Sequence, residues 1–288
     1  MCTGIILRTK SGKIIFGRTL EFGFPFVWKR YSSNGIKGTM GRVQGKKDWY
    51  MTDGMNKSGL LVGTFFFPCG EKEYVKSKSS DNIKTNVLST SVNFFLLKNC
   101  KTVEDVKKIV KKLNIELNVV DGMAMSLHWL ICDKYGKNIV LEMKDGKPRV
   151  YENKLDVITN YPSFPKHVKY NEKFSKLSSL TKKGSCSQGT GAIGLPGDSS
   201  SQSRFVRARF YVKNTPVINN TSQGIEYAQG LLRDFDIPIG SVREWGTKQI
   251  EITEYTTVYS LDDYKNEYSK YGYIWGKNKW NFTKNPVK

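Results

Sequence analysis

Histidine is scarce in this chain, with two in 288 residues. That scarcity leaves little room for imidazole-based metal chemistry. His128 and Cys132 fall on one face of a strand-like segment, LHWLICD, but four residues of strand hold them too far apart to clasp a metal easily. The five cysteines (Cys2, Cys69, Cys100, Cys132 and Cys186) are odd in number, and none forms a C-x-x-C pair. That excludes a disulfide framework and a zinc ribbon. No run approaches the roughly 20 apolar residues that a membrane span requires. The N-terminus lacks a basic segment followed by an apolar core and a small-residue cleavage site. The expectation is a cytoplasmic protein with no membrane partner, no metal and no cofactor. Acidic residues are also few, 26 against 46 basic ones, giving a net charge of +20. The basic residues are mostly scattered lysines. The runs Lys46-Lys47, Lys107-Lys108 and Lys111-Lys112 are short and lack interleaved arginine and aromatics. A solvated surface that draws in anionic small molecules accounts for them better than a nucleic-acid partner does.

The chain does hold many short Val/Ile/Thr/Tyr/Phe runs separated by glycine turns. Thr3–Arg8 and Lys13–Arg18 read as a hairpin through Ser11-Gly12. A second joins Trp49–Thr52 to Leu60–Phe67, turning at Asp53–Gly59, and a third joins Leu127–Asp133 to Asn138–Met143. Residues 70–86 read as a loop. Asn86–Asn99, Val103–Leu113, Arg204–Val212 and Gly224–Asp234 read as helices, with Thr102 and Asp105 as a capping box for the second. Further strands fit Arg149–Tyr151, Asp156–Thr159, Thr247–Leu261 and Tyr271–Trp275. Strands and helices come in blocks, not in alternating βαβ units. An α+β fold of antiparallel sheets faced by helices follows, in a single domain over residues 2–288.

The first chemistry-bearing residue is Cys2. Removal of Met1 would leave a thiol and a free α-amine on one residue. The amine, with an ordinary pKa of roughly 7.7–8.0, is a general base near neutral pH. One residue then carries nucleophile and base, as in N-terminal-nucleophile enzymes. Arg18 stands at the end of the second predicted strand. If that strand pairs with the one starting at Cys2, its charge favours the thiolate. Glu21 can steady the α-amine; the alternative for these two is a surface ion pair. Gly189-Thr190-Gly191-Ala192-Ile193-Gly194 matches G-x-G-x-x-G. It runs into the turn Leu195-Pro196-Gly197-Asp198 and not into a helix, so a dinucleotide site is excluded on context.

Five segments in sequence order resemble the choloylglycine hydrolase family, which contains bile salt hydrolases and penicillin V acylases. They are Met1-Cys2-Thr3-Gly4; Phe16-Gly17-Arg18-Thr19; Asp53-Gly54-Met55-Asn56 with Gly59-Leu60; Val157-Ile158-Thr159-Asn160 with Pro162 and Phe164; and Gly189 through Asp198 to Ser203-Arg204-Phe205. The resemblance implies a four-layer αββα sandwich, hydrolysis of a linear amide and a homo-oligomer, a tetramer in the family. It implies Cys2 as nucleophile and base, Arg18 as its charge partner and Glu21 where the family usually has Asp. Asn160 would be an oxyanion donor, and Arg204 would order the site. Phe66 falls where bile salt hydrolases tend to have Asn and penicillin acylases Tyr, leaving only its backbone N–H for the oxyanion.

Substrate choice falls to the walls. Phe22, Phe24 and Phe26 lie in an aromatic-rich loop, and Phe65 and Phe66 in an aromatic run that is either pocket or core. The expected substrate is an anionic N-acyl amide with a bulky apolar acyl group. Conjugated bile salts come first, with penicillin V or an N-acyl signal or lipid amide as the alternative. A basic binding protein with an impaired site, and a nucleic-acid binder, are the readings from other classes.

Overall fold

The computed structural model describes residues 1–23, 26–74, 85–120, 122–181, 189, 191–243, 249–269, 273–276 and 279–282. The chain opens with six strands: β1 (Cys2–Arg8), β2 (Ile14–Phe22), β3 (Phe26–Ser33), β4 (Ile36–Val43), β5 (Tyr50–Asn56) and β6 (Leu60–Phe66). Next come β7 (Thr85–Leu88), α1 (Val92–Asn99), α2 (Val103–Val110), β8 (Leu113–Glu116), β9 (Asn118–Val120) and β10 (Met123–Met125). The second half holds β11 (Leu127–Asp133), β12 (Asn138–Lys144), β13 (Lys147–Glu152), β14 (Val157–Ile158) and α3 (Phe164–Glu172). It continues with α4 (Ser201–Lys213), α5 (Thr221–Leu232), β15 (Ile252–Ser260), β16 (Lys265–Ser269), β17 (Tyr273–Gly276) and β18 (Lys279–Phe282).

Two large sheets carry the fold. One has the order β14-β1-β2-β15-β16 and the other β13-β12-β11-β6-β5-β4-β3. Neighbouring strands in both are antiparallel. Helices α4 and α5 pack on β1, β2 and β15, while α1 and α2 pack on β5, β6 and β11. The layers are therefore helix, sheet, sheet, helix, as the sequence resemblance implied.

Side-chain alternation explains why this works. Leu61, Leu130, Cys132 and Val140 join the core that contains Ile5 and Phe16, whereas Leu60, Val62, Trp129, Ile131, Ile139 and Leu141 join a second core beneath α1 and α2. Adjacent residues point to opposite faces of a strand. With both faces covered, the central strands are buried at nearly every position and largely apolar, as in Leu127–Asp133, where only His128 and Asp133 are polar. The two sheets approach closely at glycines. A Cβ on Gly63 would lie 3.1 Å from Phe16 Cζ, and one on Gly4 would lie 2.5 Å from Phe65 Cζ.

All three hairpins form, and Thr102 and Asp105 make the reciprocal capping box. Several segments differ from the sequence expectation, which held no counterpart of β4 or β8. Asn86–Leu88 is strand instead of helix, because β7 pairs in parallel with β8 and buries Val87 beside Ile115. Asp53–Asn56 extends β5, which leaves a tight turn ending at Gly59 with φ +82°. The aromatic stretch after Phe22 is no simple loop: from Phe26 onward it is β3, paired with β4. Helix α3 was not expected, although proline in its first turn is a known start signal. Phe16 lies at the centre of the inter-sheet core. Phe16→Ala should therefore cost about 3–5 kcal/mol, read as a lower urea midpoint with an unchanged m-value.

Candidate active site

Strand β2 continues past Arg18 to Phe22, so Arg18 sits in mid-strand, not at a strand end. It faces Gly4 on β1, and Leu20 faces Cys2. The β5–β6 ladder runs only as far as Asp53 and Gly63. Beyond that point the strands part and leave backbone carbonyls without ladder partners. The Arg18 guanidinium fills this opening: Nη1 donates to Thr52 O at 2.9 Å and to Thr64 O at 2.7 Å. Nε donates to Thr19 O at 3.2 Å, and Nη2 makes no hydrogen bond. Asp53 Oδ2 lies 3.6 Å from Nη1, with both side chains fully buried. The Asp53 carboxylate also accepts hydrogen bonds from Thr39 Oγ1 at 2.8 Å, from Tyr255 OH at 2.7 Å and from Tyr259 OH. Burial alone would lower the Arg18 pKa. The facing Cys2, Tyr255, Asp53 and Glu21 outweigh burial and raise it, so the cation is permanent.

The start of β1 is held from three sides. Cys2 N–H donates to Asn160 Oδ1 at 2.7 Å. Arg204, on α4, donates from Nη1 to Cys2 O at 2.5 Å and Thr3 Oγ1 at 2.8 Å, and from Nη2 to Asn160 Oδ1 at 2.9 Å. Asn160 Nδ2 in turn donates to Phe66 O at 2.7 Å. An amide nitrogen has two N–H groups, and the second is not used by that bond. The structure thus brings Cys2, Arg18, Glu21, Asn160 and Arg204 together from four different segments of the chain, Arg18 and Glu21 sharing β2.

Glu21 is buried with no hydrogen bond to either carboxyl oxygen. Burial pushes its pKa up to about 7, against the lowering pull of the N-terminal amine and Arg204. The Met1 amine donates to the backbone oxygen of Glu21 at 2.8 Å and makes its ion pair with Glu251. Burial lowers the pKa of this amine, but Cys2, Glu251 and Glu21 raise it overall. Glu251, which the sequence reading did not single out, holds the amine of Met1, the residue whose removal would free Cys2. It precedes β15, and no local signal ties it to a partner 250 positions away.

A cleft opens beside Cys2 and Arg18, lined by Leu20, Phe22, Phe26, Met51, Phe66, Met123 and Met125 among others. Arg42, Lys46 and Asp48 are the charged residues at its border. Three of the five expected aromatics thus line the cleft. Phe65 does not, which corrects its assignment as a substrate contact: it is fully buried between the sheets, edge-on to His128 and beneath the Arg18 guanidinium. Residues alternate along β6, so Phe65 and Phe66 cannot both face the cleft. Phe24 lies outside the described residues. Among the described residues no helix is long and apolar enough to cross a membrane, and no cluster of His, Cys, Asp or Glu is placed to hold a metal.

Two antiparallel sheets between helix layers, with a cysteine at the head of an inner strand, define the N-terminal-nucleophile hydrolase fold. The chain belongs to the choloylglycine hydrolase family of linear amide C–N hydrolases, whose sequence profile matches residues 2–272. It is 35% identical over 270 residues to an uncharacterized protein of Paramecium bursaria Chlorella virus 1, covering 91% of this chain and 94% of that one. It is 33% identical over 296 residues to a bile salt hydrolase/transferase of Clostridium perfringens, covering 91% and 87%. The crystal structure of the C2A mutant of the conjugated bile acid hydrolase from Clostridium perfringens superposes with a TM-score of 0.77 at 28% identity, covering 99% of this chain and 92% of that one.

Glu21 has a raised pKa, so its proton stabilises the fold fully below pH 4.5, and that contribution is lost as pH rises through about 7. His167 has its pKa lowered to about 4, chiefly by burial. Its contribution is present above pH 6.5 and is lost as pH falls through about 4. Relative to the unsubstituted protein, Glu21→Gln should therefore gain stability steadily from pH 4.5 to 7 in urea titrations. A pH-independent offset would place the titration elsewhere.

Proposed function

We propose that this protein hydrolyses the linear amide bond of an anionic N-acyl substrate with a bulky apolar acyl group, a conjugated bile salt or a molecule of similar shape. The observation that carries this reading is the convergence on Cys2 of a permanent buried cation, Arg18, and a clamped side-chain amide, Asn160. Loss of Met1 turns the Cys2 nitrogen, now 2.7 Å from Asn160 Oδ1, into a free amine held in place. The thiolate attacks the amide carbonyl, and the carbonyl π electrons move onto oxygen. The free N–H of Asn160 Nδ2 and a backbone N–H near Phe66 receive that oxyanion. The Cys2 amine passes a proton to the leaving nitrogen as the C–N bond breaks. Water then adds to the thioester, releasing the acid and restoring the thiol. Arg204 holds Cys2 O and Asn160 Oδ1 in register.

The walls support the substrate class. The cleft wall is largely aromatic and aliphatic, and the basic Arg42 and Lys46, against the single acidic Asp48, can receive an anionic group. A binding protein with an impaired site is the second reading. What favours it is Glu21, whose buried carboxyl has no hydrogen-bond partner.

The test is amine release from glycocholate, taurocholate, penicillin V and an N-acyl homoserine lactone, with Met1 shown by mass to be absent. Turnover of at least one substrate is expected, abolished in Cys2→Ser. Asn160→Ala should lower kcat by about 10²–10³-fold, the usual cost of one oxyanion donor. Arg42→Glu should raise KM for the anionic substrates about fivefold, in line with a rim charge contact of about 1 kcal/mol. Silence from correctly processed protein would favour the binding reading instead.

A further inference from the structure

The chain's two histidines are both buried, at 1% exposure each, and neither touches the cleft. They meet at one place. His128 Nε2 lies 2.8 Å from Thr159 O, and His167 Nε2 lies 2.9 Å from Asn160 O. A carbonyl oxygen only accepts, so in each ring Nε2 carries the proton and donates it. Strand β14 ends at Ile158, so these two carbonyls lie beyond its strand ladder. Buried backbone groups of that kind need side-chain partners.

We propose that His128 and His167 are positioning residues for Asn160: they grip the consecutive carbonyls of residues 159 and 160 and so fix the aim of its side-chain amide. The inference rests on Asn160 serving as an oxyanion donor.

Each ring is itself immobilised. His128 lies 4.7 Å from the Phe67 ring and edge-on to Phe65, and His167 stacks on Phe205 at 4.7 Å with an interplanar angle of 13°. Glu142 ties the two together. Its Oε1 lies 3.0 Å from His128 Nδ1, a hydrogen bond made by one proton shared between the ring and the carboxyl in addition to the one on Nε2, and it accepts the Phe164 N–H at 2.8 Å. Phe164 is the first residue of α3, the helix that carries His167. One buried carboxylate therefore orients the first ring directly and the second through its helix. Ser201 Oγ completes the clamp by accepting the Asn160 N–H at 2.9 Å. With its backbone held at N–H and C=O, and its Oδ1 held by Cys2 and Arg204, Asn160 has little freedom to reorient when charge develops on the substrate. Such rigidity is what makes an oxyanion donor effective.

The test is a double-mutant cycle on Met1-processed protein. Substrates are glycocholate and a p-nitrophenyl acyl ester, which probes acylation with little demand on the acyl pocket. His167→Phe keeps the ring stacked on Phe205 but deletes the donor. It should lower kcat roughly 10–100-fold, the scale of a misplacement of about 1 Å, with KM changed less than about twofold. His167→Gln, which can still donate to Asn160 O, should recover most of that loss. In an Asn160→Ala background, His167→Phe should have almost no further effect. If His167→Phe lowers activity equally with and without Asn160, or acts mainly on KM, the positioning role is wrong. Should His167→Phe fail to fold, the cycle is run with His128→Phe under the same expectations. Full activity of Asn160→Ala alone would instead remove the oxyanion assignment on which the inference stands.

Discussion

A guanidinium taken completely out of water loses its hydration and must be surrounded by acceptors. Arg18 meets that demand by entering the gap where β5 and β6 separate, taking Thr52 O and Thr64 O as partners. The same gap gives the cleft its inner end, so the cation and the opening are one feature. Asp53 balances the charge from the far side and is itself held by Thr39, Tyr255 and Tyr259. These residues come from β4, β5 and β15, so both sheets contribute to a single charged cluster. Removing one member would leave an opposite charge buried alone, a far larger loss than the worth of the pair.

Around this fixed cation the N-terminus is assembled from distant parts of the chain. Cys2 is reached by Asn160 after β14 and by Arg204 on α4, while Glu251 before β15 takes the Met1 amine. The contacts on Cys2 fall on its backbone N and O and leave the thiol side to the cleft. That division suits a nucleophile: its backbone is fixed while its sulfur stays on the cleft side. Asn160 occupies the centre of the arrangement, with its side chain bonded to Cys2, Arg204 and Phe66 and its backbone bonded to His167 and Ser201.

What the sequence by itself determined follows from short-range patterns. Period-two apolar runs with Ser-Gly and Gly turns gave the hairpins, and Thr102 with Asp105 marked the start of α2. The order of five motifs from Cys2 to Phe205 gave the family and the layered fold. These signals are local, or lie in the spacing of residue types along the chain, so one sequence suffices to read them. What only the tertiary structure decided depends on which distant backbones meet. Asn86–Leu88 is strand because β8 is there to pair with it, against its helical reading. Phe65 and Phe66 are chemically identical neighbours, and only the placement of a second sheet on one face makes the first core and the second cleft wall. Glu251 and the two histidines carry no motif. Their roles come from buried polar groups that must find partners across 250 positions of chain for Met1, and 31 and 7 positions for the carbonyls of Thr159 and Asn160. Hydrogen-bond satisfaction in a closed core is a property of the assembled molecule, and no segment read alone contains it.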